Sequence, residues 1–127
     1  MANFEITLFV GLPGSGKTYW ANKLCDIVVD DITELDQLPS KDSIENKPLG
    51  ITDVNFCNSN LLSKAIVKLQ EVYGSSCLID IVYFENSGKK ARNNVKYRND
   101  GRLVEGTIRH FEMIYDPPFG ALKIWEP

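Results

Sequence analysis

Eight consecutive residues, Gly11 to Thr18 in the order GLPGSGKT, combine the residue types that can hold a chain of phosphates. Glycines let the backbone curl until successive N–H groups point at one centre, forming a concave anion site. A helix expected to begin near Lys17 adds the positive end of its dipole. The Lys17 ammonium has the reach to meet the β- and γ-phosphates, and the Thr18 hydroxyl is a suitable ligand for Mg²⁺. Every fixed position of G-x-x-x-x-G-K-[ST] is met, with a strand-like run before it and helical periodicity after it. Gly11, Pro13, Gly14, Ser15, Gly16, Lys17 and Thr18 are therefore expected to bind ATP or GTP together with Mg²⁺.

Three further pieces carry chemistry that such a site needs. Asp53, in GITD, ends a short apolar run and is the expected acid for Mg²⁺, directly or through water. Asp30 and Asp31 close the run DIVVDD. A carboxylate there could take a proton from an attacking hydroxyl, or the pair could simply cap a helix or a turn. Arg98 and Arg102 flank a flexible Asp-Gly in RNDGR, between two helical segments. Read alone these are surface arginines; read with the phosphate motif they form a mobile lid that stabilises charge on a transferring phosphoryl group.

Elements that would position these residues follow from periodicity. FEITLFV, Phe4 to Val10, reads as a buried strand ending at Gly11. From Lys17 the pattern is helical, with Trp20, Leu24 and Ile27 on one face, and Tyr19 and Trp20 expected to pack that helix onto a sheet rather than to touch a nucleotide. DIVVDD and LGITDVNF supply two more short strands. The polar stretch Thr33 to Pro48 reads as an irregular connection. Leu61, Leu62, Ala65, Ile66, Leu69, Val72 and Tyr73 trace a helical face stopped by Gly74. CLIDIVYFE is a strand, Gly88 to about Tyr97 a basic helix, and Val104, Ile108, Phe111 and Tyr115 mark a helix that runs to Pro117. ALKIW offers a last strand. Alternating strands and helices predict an α/β domain with a mostly parallel sheet, because parallel neighbours need helical crossovers. Ligands of such folds sit at the carboxyl ends of the strands, where Gly11, Asp30 and Asp53 are expected to converge.

Composition limits the rest. The chain has 127 residues, 43% of them hydrophobic, enough for one core and too few for two ordinary domains, so residues 1–127 are expected to form a single domain. No basic region followed by a long apolar one suggests a leader, and no apolar run is long enough to span a membrane, so a cytoplasmic, intracellular setting is expected. Cys25, Cys57 and Cys77 form no C-x-x-C pair and read as buried small hydrophobes. The net charge of −3 is unevenly spread: Asn86 to His110 carries seven basic residues against two acids, which makes that segment +5 and the remainder −8. A run of this kind is a solvated helix face or a set of cations near phosphates. His110 is assigned no chemistry.

In order along the chain, GLPGSGKTYWA, VVDD, ITDVN and RNDGR followed by LVEGTIRHFEMIY resemble the kinase domain of phage polynucleotide 5′-kinases, within the adenylate-kinase-like group of P-loop kinases. That family shows GxPGSGKSxWA, a strand ending DD, a strand ending I[ST]DxN, and a lid with RNxxR, and the resemblance spans Ile6 to Tyr115. It implies a three-layer P-loop NTPase fold with a mostly parallel central sheet of about four to five strands and a helical lid. By position it makes Lys17 and Thr18 the phosphate and Mg²⁺ residues, Asp30 the general base for a 5′-hydroxyl, Asp53 the acid of the third strand, and Arg98 and Arg102 the lid arginines. The implied activity is transfer of the γ-phosphate of ATP to a hydroxyl, first a 5′-hydroxyl nucleic-acid end, with a nucleoside, nucleotide or other small metabolite as the other acceptor. Two positions depart from the family: Thr33, beside Glu34, stands where it has an arginine, and Asp31 to Leu49 is short where it has a helical segment for nucleic acid. The family's phosphatase domain has no counterpart here. A nucleotide-binding module that regulates a partner without phosphoryl transfer is the alternative those departures leave open.

Overall fold

A computed structural model describes residues 5–30, 38–40, 47–98 and 104–126. Within them lie strands β1 (Glu5–Val10), β2 (Ile27–Asp30), β3 (Leu49–Thr52) and β4 (Leu78–Tyr83). The helices are α1 (Lys17–Leu24), α2 (Ser59–Tyr73), α3 (Gly88–Arg98) and α4 (Glu105–Ile114), with a 3-10 turn at Val54–Cys57. The strands form one sheet in the order β2-β3-β1-β4, and every pairing is parallel. All four strands therefore point their carboxyl ends at the same edge. Asp31, Thr33, Glu34 and Arg102 lie outside the described residues.

Alternation along the strands sorts side chains to two faces. Ile6, Leu8 and Val10 of β1 join Leu49 and Ile51 of β3 in a core closed by Leu62, Leu69 and Tyr73 of α2, Ala91 of α3, and Ile108 and Phe111 of α4. On the opposite face Phe9 meets Ala21 and Cys25 around α1, with Phe84 and the tail residue Ile124. Gly50 is required there, because a Cβ would stand 2.9 Å from the Cys25 sulfur. One face thus carries three helices and the other α1 and a stretch of tail. Cys25, Cys57 and Cys77 are free and buried, as expected for small apolar residues. Among the described residues no helix is long and apolar enough to cross a membrane.

Local sequence explains the ends. Asn58 caps α2, its Oδ1 accepting from the Asn60 and Leu61 N–H groups at 3.0 and 3.2 Å, and Gly74 stops the helix at φ +98°. The Tyr73 hydroxyl, its pKa pushed up to about 12 by burial, donates to the Pro39 carbonyl at 2.7 Å and ties the β2–β3 connection to α2. Asn86 donates to the Glu112 and Tyr115 carbonyls, closing the end of α4. The buried Tyr115 hydroxyl lies 2.5 Å from the Phe84 carbonyl and 3.1 Å from that of Val10, so it pins α4 to the ends of β4 and β1. Burial pushes its pKa well up.

Several expectations need correction. α1 ends at Leu24, one turn short of the helical reading, and Ile27 opens β2 instead. Tyr19 and Trp20 do not pack α1 onto the sheet; they are 59% and 38% exposed, edge-to-face, with Lys23 over both rings. Helical spacing selects a face, but α1 is so short that Ala21 alone is buried. Leu61 and Val72 likewise lie at the exposed margins of α2. ALKIW forms no strand: it makes one parallel bridge, Leu122 to Phe84, beside the end of β4.

Removing only the Tyr115 hydroxyl leaves the buried Phe84 carbonyl without that partner. Tyr115→Phe is expected to lower stability by about 1–2 kcal/mol, read as a lower midpoint in urea denaturation; an unchanged midpoint would show that the hydroxyl does not hold α4.

Candidate functional site

The loop from Gly11 to Gly16 links β1 to α1 at the carboxyl edge of the sheet. Gly14 and Gly16 adopt φ +87° and +94°, a left-handed region that side chains with a Cβ seldom enter. No side chain caps α1 and its first turn contains no acid, in contrast with α2, which Asn58 caps. The helix thus presents an uncapped positive end toward the loop. Lys17 folds back over the loop, its Nζ donating to the Gly11 carbonyl at 2.7 Å and the Leu12 carbonyl at 3.0 Å. Ser15 is buried, and its hydroxyl has no partner among the described residues.

The loop rests directly on α3. A Cβ on Gly14 would stand 2.5 Å from the Ala91 carbonyl and 3.0 Å from a Val95 methyl. Asn94 closes the same contact, donating to the Gly14 carbonyl at 2.9 Å and to the Trp125 carbonyl of the tail at 2.7 Å. Glu85 joins tail and helix again, accepting from Lys90 at 2.6 Å and from the Ile124 N–H at 3.1 Å. This pairing holds the Glu85 carboxyl below its usual range.

The carboxylates meet the loop from the neighbouring strands, as the parallel topology requires. Asp30, the last residue of β2, accepts from the Thr52 hydroxyl through Oδ1, and the same oxygen lies 3.5 Å from the Thr18 hydroxyl. Asp53 is 4% exposed, and its Oδ1 accepts from the Asn55 N–H at 2.9 Å to cap the 3-10 turn. That turn carries Cys57 to the underside of the loop, within hydrogen-bonding reach of the Gly11 backbone. Burial raises the Cys57 thiol to about 12, with Lys17 pulling it down and Asp53 pushing it up. Lys17 and Asp53 thus both lie within electrostatic reach of the Cys57 thiol.

Lys17, Thr18, Asp30 and Asp53 are therefore brought to one edge. Arg98 is the last residue of α3 and is exposed, and Arg102 lies outside the described residues. Three contributors were missed. Thr52 was read only as part of a strand, Asn94 as part of a basic helix, and Arg92 as one of many cations, although it pairs with Glu105 at 2.9 Å and with Glu112. The sequence signal for Thr52 is a hydroxyl at the end of a strand, directly before Asp53.

The donor set suits a phosphate chain and an oxygen-liganded divalent cation. Left-handed glycines, an uncapped helix start and a lysine on the loop fit the former, and a hydroxyl beside a carboxylate fits the latter. Gly11, Pro13, Gly14, Ser15, Gly16 and Lys17 would hold the phosphates, and Thr18, with the carboxylate edge, the Mg²⁺.

No family model matches the chain. It is 26% identical over 110 residues to "Uncharacterized protein R277" of Acanthamoeba polyphaga mimivirus, which covers 77% of this chain and 75% of that protein. That likeness is one of sequence and carries no activity with it.

The two left-handed glycines differ in what surrounds them. Gly16→Ala is expected to cost about 1–2 kcal/mol from backbone strain alone, because nothing lies within 3.8 Å of the added carbon. Gly14→Ala adds a collision with the α3 backbone and is expected to lower the melting temperature further; equal losses would show that the loop does not rest on α3. Cys57 is expected to stay unmodified by iodoacetamide in the native protein at about pH 8 and to react once denatured, as read by mass spectrometry, because its thiolate forms only near pH 12.

Proposed function

We propose that this chain is a P-loop kinase that transfers the γ-phosphate of ATP, or of GTP, to a hydroxyl acceptor, first a 5′-hydroxyl nucleic-acid end. The observation that carries the reading is the meeting, at one edge of a parallel sheet, of the GLPGSGKT loop with the carboxylate that ends β2, 3.5 Å from the Thr18 hydroxyl.

The roles follow from placement. The loop backbone and Lys17 would bind and orient the triphosphate, and holding the reactants in line removes much of the entropic barrier. Bound Mg²⁺ supplies charge neutralisation on the phosphate oxygens. Asp30, exposed at the strand end, would accept the proton of the incoming hydroxyl. Asp53, with Thr18, would hold the Mg²⁺, directly or through water. The lid arginines, Arg98 and Arg102, would bring positive charge to the transferring group. The three-layer arrangement around four parallel strands, with the phosphate loop after β1, supports a P-loop NTPase fold.

The acceptor is the less supported half. Eighteen residues, 31 to 48, join β2 to β3, little chain with which to grip a polymer, and this favours two other readings: a small nucleoside or nucleotide acceptor, and a nucleotide-binding regulatory module without transfer. Incubation with labelled ATP and a 5′-hydroxyl oligonucleotide, in parallel with mononucleotides, separates them. Label on the oligonucleotide is expected; label on a mononucleotide alone would replace the acceptor, and label on neither would leave the binding module. Asp30→Ala is expected to lower transfer by about a hundredfold or more with nucleotide affinity retained, and Lys17→Ala to weaken that affinity by about tenfold or more.

A further inference from the structure

We infer that Thr52 is a positioning residue: its hydroxyl anchors the Asp30 oxygen that also faces Thr18, and so fixes the orientation of that carboxylate at the end of β2. The inference rests on the reading of Asp30 as the base of a phosphoryl transfer.

Thr52 is the last residue of β3 and is 3% exposed. A buried hydroxyl must find a hydrogen-bond partner or lose about 1–3 kcal/mol. Register supplies one: Asp30 and Thr52 are direct partners in the parallel pairing of β2 with β3. The Thr52 hydroxyl donates to Oδ1 of Asp30. The Thr18 hydroxyl approaches the same oxygen from α1. Both contacts fall on Oδ1, so Oδ2 has no partner among the described residues. An aspartate on a strand end otherwise turns freely about its two side-chain bonds. Anchoring one oxygen from the neighbouring strand removes that freedom and leaves the other oxygen unengaged among the described residues.

The hydroxyl therefore does what no apolar residue of the same shape could do. Valine would fill the volume of Thr52 and suit β3, yet it would leave Asp30 held only by the longer Thr18 contact. Serine keeps the donor and gives up a methyl group. The sequence requirement at this position is thus a hydroxyl, at the end of a short apolar strand.

The test compares wild type with Thr52→Ser, Thr52→Val and Thr52→Ala in the full chain. Side-chain couplings of Asp30, measured by NMR, are expected to report one rotamer in wild type and Thr52→Ser and averaging in Thr52→Val and Thr52→Ala. Steady-state transfer is expected to lose about tenfold to a hundredfold in kcat in the last two variants, with KM for ATP within about twofold and Thr52→Ser restoring most of the rate. An Asp30 rotamer as fixed in Thr52→Val and Thr52→Ala as in wild type would overturn the inference. So would a fall in KM and kcat shared equally by Thr52→Ser, which marks a merely structural role. Failure of the underlying reading looks different: Asp30→Asn would then transfer phosphate at the wild-type rate, and the rotamer measurement alone would decide the role of Thr52.

Discussion

Gly14 sits so near α3 that only a residue without a side chain can occupy it, and much of the molecule is arranged around that approach. The Ala91 carbonyl and the Val95 methyl define the space, and Asn94 bonds the loop carbonyl to the helix. Because Asn94 also holds the Trp125 carbonyl, one side chain joins the phosphate loop, the fourth-strand helix and the tail. Glu85 makes the same junction from the end of β4 by taking Lys90 and the Ile124 N–H. The loop is therefore preorganised by its contacts with α3 and the tail.

The basic run is in part a solvated face, with Lys89, Lys96 and Arg98 exposed, and in part an ion-paired one. Arg92 is held between Glu105 and Glu112, so its charge ties α3 to α4 instead of meeting a ligand. Lys90 is engaged by Glu85, and Arg109 lies 3.7 Å from Glu105. Such exposed pairs add little stability singly, but Arg92 with two partners fixes the crossing of the two helices. A count of cations in a segment overstates the positive field available to phosphates whenever acids from a neighbouring helix fold back onto it. Lys89, Lys96 and Arg98 have no ion pair of this kind among the described residues.

Much of the architecture was legible because the signals were local. The apolar runs of β1 and β4, the Leu62–Leu69–Tyr73 face of α2 and the Gly74 stop each follow from short-range periodicity and turn chemistry. The glycine motif located the loop, and parallel topology then placed Asp30 and Asp53 at its edge. What escaped was set by tertiary contact. Ile27 has helical spacing from Leu24, but pairing with Leu49 makes it the start of a strand. Tyr19 and Trp20 are aromatic and lie on a helix, yet the sheet reaches only Ala21 between them and the end of α1. The bonds of Asn94 and Thr52 join residues far apart in sequence, and spacing carries no trace of them.

Asp30 and Asp53 show how one residue type acquires two characters within a single sheet edge. Burial of a carboxylate costs several kcal/mol unless hydrogen bonds and opposite charge compensate it. Asp53 meets part of that demand by accepting from the Asn55 N–H, and its place follows from the 3-10 turn that it caps. Asp30 ends an outer strand, where water reaches it, and needs no such enclosure. Its single anchored oxygen is then a matter of direction and not of solvation. The inner acid is enclosed and the outer one is open to solvent. That division follows strand order: β3 lies between β1 and β2, so the acid that follows β3 is buried, and the acid that ends β2 is left at the margin.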